Sequence, residues 1–214
     1  METITATSDY DFRGESESGK KPAIQLEVNY VHPTGWYGSV FASNVDFRDH
    51  RKSAGPMLEI NPTFGRRYAT SAGIVLDAGA TYYAFLTDGA RDDFGEIYIG
   101  ASYRWISSEL FYARSYGGSA QRVELGAWYW TADATVPLPG HASLLGHIGY
   151  SWGPYWTTAG GGDRVDYSVG LGYPLGKFNI SLRYINSKST STTDGGAFGN
   201  GGRAVFAVAT TLPW

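Results

Sequence analysis

Ile24-Gln25-Leu26-Glu27-Val28-Asn29-Tyr30-Val31-His32 is the stretch on which the fold turns. Successive side chains of a β-strand point to opposite faces, so Ile24, Leu26, Val28 and Tyr30 share one face while Gln25, Glu27 and Asn29 share the other. The same rule sets Val165, Tyr167, Val169, Leu171 and Tyr173 against Asp166, Ser168, Gly170 and Gly172. A third segment places Ile97, Ile99, Ala101, Tyr103 and Trp105 opposite Glu96, Tyr98, Gly100, Ser102 and Arg104. Apolar side chains at every second position, with polar or small ones between, are the pattern of a strand with one face in lipid and the other in a wet interior.

Applied along all 214 residues, the pattern predicts about 12 strands. They lie near 2–13, 21–32, 36–47, 57–66, 71–86, 93–105, 107–117, 121–137, 142–154, 163–174, 177–190 and 202–214. Most match or exceed the nine to eleven residues with which a tilted strand crosses the hydrocarbon. The connections alternate in length. Tight links fall at Pro33-Thr34-Gly35, Arg67-Tyr68-Ala69, Ile106, Pro139-Gly140 and Leu175-Gly176. Longer polar ones fall at 14–20, 48–56, 88–92, 117–120, 155–162 and 191–201. Bacterial barrels have short periplasmic turns and longer outer loops, and an even strand number leaves both termini on the short-turn side. The expectation is an all-β, single-domain (1–214), antiparallel up-and-down transmembrane β-barrel in the bacterial outer membrane. Two segments are ambiguous. In 107–117, Phe111 and Ala113 compete with Leu110 and Tyr112 for the outer face, and 122–138 changes phase in a way a β-bulge would explain. Ten strands is the alternative count.

Composition agrees. Aromatics make up 15% of the chain, with 16 Tyr and 29 Gly, which is strand-and-turn chemistry. No apolar run is long enough for a transmembrane helix, and a mean hydropathy of -0.25 suits strands that are only half apolar. A net charge of -3 without a basic cluster gives no support for nucleic-acid binding. The absence of cysteine excludes disulfides and thiolate metal sites. Met1-Glu2-Thr3 runs straight into alternating sequence, without the basic and apolar regions of a signal peptide. For an envelope protein, Met1 then stands where a removed signal ended. Aromatics gather at segment ends: Tyr10, Phe12, Trp36, Tyr37, Phe47, Trp105, Tyr150, Trp152, Tyr173 and Trp214. This is the expected interfacial girdle. A soluble sandwich would place them in its core, but its strands are usually nearer five or six residues.

Ser8-Asp9-Tyr10-Asp11-Phe12-Arg13-Gly14-Glu15-Ser16, followed by Lys21-Pro22-Ala23, resembles the start of the TorF family of proposed porins. Trp36-Tyr37-Gly38 and Ala42-Ser43-Asn44-Val45-Asp46-Phe47 resemble that family's next motif. The resemblance covers roughly the first quarter of the chain. It implies a Gram-negative outer-membrane pore and supplies neither a substrate nor catalytic residues. The terminal run Phe206, Val208, Thr210, Leu212, Trp214 resembles the signal by which barrels are recognised for assembly, with Pro213 and Trp214 departing from its usual final Phe.

Candidate chemistry is sparse. Gly149-Tyr150-Ser151-Trp152-Gly153 matches a nucleophile elbow, with His147 on the same face, but the elbow needs a strand-turn-helix setting. Four residues of strand also separate His147 from Ser151 by roughly 13 Å. His32, His50 and His141 lack ligand spacing. The Asp9 and Asp11 pair and Asp92-Asp93 lack the oxygen set of a calcium loop. Gly195 to Gly202 lacks the lysine and setting of a P-loop. The sequence therefore predicts no enzyme, cofactor or metal.

The inward parity set is the expected pore lining: Asp9, Asp11, Arg13, Glu27, Asp46, Glu59, Asp77, Glu96, Arg104, Asp133, Asp166, Arg183 and Arg203. Desolvating so many charges without partners is expensive, so they imply water, ion pairs or both. The sequence expectation is a porin-like channel for passive diffusion of small solutes or ions, weakly cation-preferring because acids predominate. The alternative is a non-conducting structural or adhesive barrel acting through its outer loops. Expected partners are the lipid bilayer, lipopolysaccharide, the barrel-assembly machinery at the C-terminal strand, and small solutes.

Overall fold

The computed structural model describes residues 1–46, 56–86, 92–118, 123–158, 161–190 and 201–212. Twelve strands close into an antiparallel barrel: β1 (Glu2–Thr7), β4 (Ala23–Val31), β5 (Trp36–Asp46), β6 (Pro56–Ala69), β7 (Val75–Leu86), β8 (Phe94–Tyr103), β9 (Ile106–Ala113), β10 (Ala127–Pro137), β11 (Ser143–Trp152), β12 (Arg164–Leu175), β13 (Phe178–Ser189) and β14 (Arg203–Leu212). Each strand pairs with its neighbour in sequence, and β1 pairs with both β4 and β14 to close the ring. Two further short strands, β2 (Asp11–Phe12) and β3 (Glu15–Ser16), pair only with each other. A short helix, α1 (Pro154–Thr158), follows β11.

Alternation sets the faces. Ile24, Leu26, Val40, Leu58, Ile97, Ile99, Val169, Leu171 and Leu182 are exposed on the outer wall. Tyr30, Trp36, Tyr68, Tyr103 and Tyr173 ring its short-turn end, and Tyr82 and Trp128 lie toward the other. An exposed apolar band between aromatic belts is stable only against lipid. Tyr10 and Tyr37, expected in the girdle, are instead buried inside. Phe47 and Trp214 lie outside the described residues, as do Pro213 and His50.

Both ambiguous segments resolve. On β9, Ala113 is buried and Phe111 packs on Tyr98 and Tyr129, while Tyr112 packs on Trp128 of the outer wall. The phase change before Trp128 is a strand boundary and no bulge, because β10 starts only at Ala127. Two tight turns shift: Arg67, Tyr68 and Ala69 belong to β6, with the turn at 70–74, and Arg104-Trp105 link β8 to β9. At the first turn, a Cβ on Gly35 (φ 91°) would lie 2.2 Å from the Arg67 carbonyl oxygen, so that close approach requires glycine.

Replacing Ile99, 62% exposed on the outer wall, by arginine is expected to cost about 2–4 kcal/mol of barrel stability, read from urea unfolding in bilayers. Ser181→Arg, facing the lumen, should change it by less than about 0.5 kcal/mol. Equal losses at both positions would refute the assigned faces.

Candidate functional site: a charged lumen and its inner hairpin

The first strand does not run on to residue 13. After Thr7 the chain leaves the wall, and the segment predicted as an outer loop folds into the loop-side end of the lumen. Asp11 pairs with Ser16 and Phe12 with Glu15 around Arg13-Gly14, whose φ values of 53° and 80° are those of a two-residue type I′ turn. Gly14 is required: a Cβ there would lie 2.6 Å from the Cβ atoms of both Asp166 and Ser187. The limbs are tied together by the Ser16 and Ser18 hydroxyls, which donate to Asp9 Oδ1 at 2.5 and 2.9 Å.

Arg13 occupies a left-handed conformation that costs a non-glycine residue about 1–3 kcal/mol. Its side chain offsets that cost by reaching β8, where both terminal nitrogens donate to the Glu96 carboxylate at 2.8 and 2.6 Å. Its guanidinium also lies 4.2 Å from the ring centre of Tyr129 on β10. Arg203 on β14 pairs with Asp9 at 2.6 Å and with Asp11, and donates to the Gly14 carbonyl at 2.9 Å. Arg164 on β12 pairs with Glu15. Toward the other side, Tyr10 donates to Glu59 at 3.3 Å and packs on Phe41, while Phe12 packs on Tyr83. The hairpin segment thus touches β5 through β10 and β12 through β14. Glu17, in its returning limb, is held above the usual carboxylate range by burial and by the negative charge of Glu59.

Beneath the hairpin, toward the short turns, lies a cavity of about 570 Å³. Its walls carry Thr5, Gln25, Glu27, Ser39, Asn61, Thr63, Ser168, Ser181 and Arg183, with Asp11, Phe12 and Arg13 of the hairpin as its roof. On one wall both ring nitrogens of His147 face carboxylates, Asp133 at 2.8 Å and Asp166 at 2.7 Å. Nearer the short turns, Asp77 accepts from Tyr37 at 2.8 Å and Arg67 at 3.0 Å, and the Tyr37 and Tyr98 hydroxyls bond to each other. The His147 arrangement bears on the elbow match: its ring nitrogens serve carboxylates, and Ser151 is buried within β11.

The structure distributes the sequence-predicted set as follows. Glu27, Asp46, Glu59, Asp77, Glu96, Asp133, Asp166, Arg183 and Arg203 lie on barrel strands, with Asp46 bonded to Lys21 at 3.0 Å. Asp9, Asp11 and Arg13 belong to the inner hairpin segment. Arg104 is the exception, since β8 ends at Tyr103 and leaves it exposed in the turn at φ 55°. The inward set drawn from the sequence omitted Glu15, Glu17, Glu109, His147 and Arg164. The Arg13-Gly14 dipeptide between Asp-Phe and Glu-Ser was the legible signal for the hairpin, and Arg164 shares the parity of Asp166. Among the described residues no cluster of three or more His, Asp or Glu is arranged to hold a metal.

An apolar band outside, charge inside and a fully paired ring of strands define a transmembrane β-barrel of the bacterial outer-membrane class. The chain belongs to the family described as "Bacterial protein of unknown function (Gcw_chp)", which it matches over residues 1–211. No curated protein matches its sequence. Among solved structures, the KdgM porin in complex with disordered oligogalacturonate aligns over 99% of both chains, with a TM-score of 0.61 and 10% identity. The NanC porin aligns over 100% of both chains, at a TM-score of 0.64 and 7% identity. The Salmonella typhi outer membrane phospholipase OMPLA, a dimer with bound calcium, aligns over 98% of this chain and 90% of its own, at 0.55 and 13%. At these identities the likeness carries the fold.

Gly14→Ala should unseat the hairpin while leaving the barrel ladder intact. Trypsin cleavage after Arg13 is expected to quicken about tenfold, one decade for about 1.4 kcal/mol of lost docking. An unchanged rate would show that the close approach at Gly14 is not needed.

Proposed function

We propose that the protein is a porin-like channel for passive diffusion of small solutes and ions, weakly cation-preferring and without catalytic activity. The observation that carries this is the cavity between the hairpin and the short turns, about 570 Å³ of lumen whose lining mixes hydroxyls, amides and charges with apolar side chains such as Phe41, Tyr83 and Val205. A barrel built only for stability would fill that space with packed side chains. Pore lining is assigned to Glu27, Glu59, Asp77, Asp133 and Arg183 on the wall, with Asp9, Asp11 and Arg13 at the hairpin. The resemblance of the N-terminal quarter to the TorF family points the same way.

Charge sign follows from pairing. Glu27, Glu59 and Glu109 face the lumen without an ion pair among the described residues, against Arg183 as the corresponding base. The acidic excess favours cations over anions, and it argues against a solute as anionic as the oligogalacturonate named with KdgM. The lipid bilayer and lipopolysaccharide are the proposed surroundings, and β14 the proposed contact for barrel assembly.

Planar-bilayer recording across a potassium chloride gradient tests the proposal. The expected reversal potential has the sign of cation preference, and Glu27→Gln with Glu109→Gln should bring the permeability ratio toward unity. Anion preference would sink the selectivity. Absence of conductance, even in a protein lacking residues 9–19, would leave a structural or adhesive barrel acting through its outer loops.

A further inference from the structure

We infer that residues 8–20 form a gate, an ion-pair-latched hairpin that leaves its seat as a unit to open the loop-side end of the lumen. The inference rests on the channel proposal and adds the moving part. Three features carry it. First, the barrel closes without the hairpin: β2 and β3 pair only with each other, while β1 pairs directly with β4 and β14. Its departure therefore leaves every strand-to-strand ladder of the wall in place and gives up two backbone bonds to the wall, Ser8 N–H to the Phe206 carbonyl at 2.8 Å and Asp46 N–H to the Glu17 carbonyl at 2.7 Å. Second, beside the aromatic contacts of Tyr10 and Phe12, its latches are ionic and sit on separate strands, Arg13 to Glu96 on β8, Glu15 to Arg164 on β12, and Asp9 and Asp11 to Arg203 on β14. On opening, these charges regain water, so the net cost of release is far below the gross attraction. Third, the seat is imperfectly satisfied. Glu59 is buried with one carboxylate oxygen lacking a hydrogen-bond partner among the described residues, and Glu17 of the returning limb is buried where its ionisation is opposed by Glu59. A permanent plug would resolve that opposition, whereas a gate needs attraction and repulsion close to balance. The returning limb also carries a pivot, Gly19 and Lys20 at φ 62° and 58°.

The test combines hydrogen exchange with conductance on the full chain refolded into bilayers. Exchange of residues 9–20 should be at least tenfold faster in 1 M than in 0.1 M salt, and faster again in Arg203→Gln, with the strands unchanged. The reciprocal pair Arg13→Glu with Glu96→Arg should restore protection lost in Arg13→Glu alone. Because the chain has no cysteine, Arg13→Cys and Glu96→Cys can be joined by a short, reducible dithiol cross-linker. Joined, the barrel should stay at low conductance in all salts, and reduction should release it. Exchange of residues 9–20 that ignores both salt and Arg203→Gln overturns the gate, as does equal conductance before and after reduction of the cross-link. If exchange responds as expected but no form conducts, the mobile hairpin stands and the channel proposal falls.

Discussion

Hydrocarbon offers no hydrogen-bond partner to a peptide group, and the whole structure depends on that constraint. Every spanning strand must be paired along both edges, so the sheet has to close. The short β1 completes the ring here, bonding to β4 on one side and β14 on the other. Closure fixes the circumference. A ring of twelve strands is wider than its inward side chains fill alone, so its interior must take up water or additional chain. This barrel takes up chain at the loop-side end, and a cavity of mixed polar and apolar lining lies below.

Arginine makes that arrangement workable. Arg13 and Arg203 each offer several donors in a planar fork, so one side chain can satisfy both oxygens of Glu96 or bridge Asp9 and Asp11. Lysine would supply charge without that geometry. The aromatic side of the seat, Tyr10 on Phe41 and Phe12 on Tyr83, gives the hairpin an orientation, while the ion pairs to β8, β12 and β14 give it reach. Lumen electrostatics thus reflect what remains after pairing, which leaves Glu27, Glu59 and Glu109 without a basic partner among the described residues, against Arg183.

Particular elements show where sequence reasoning succeeds and why it stops. The lipid faces of β4, β8 and β12 were legible because lipid enforces alternation at each position. On β9 the rule weakened, because Phe111 faces inward onto Tyr98 and Tyr129 and an apolar residue inside looks like one outside. That ambiguity concealed Glu109. Tyr10 and Phe12 misled for a related reason: aromatics at the end of an alternating run resemble an interfacial girdle, and only the chain's departure from the wall at Ser8 places them in a core.

By itself the sequence determined that the chain forms a closed antiparallel barrel and, on most strands, which residues face outward. These are consequences of a two-residue period and of turn lengths, both written locally along the chain. Tertiary structure alone decided that the first loop folds inward, that Arg13 meets Glu96 and Arg203 meets Asp9, and that His147 serves carboxylates. Those pairs join residues as much as 194 positions apart, and such distances become short only once closure brings distant strands around one lumen.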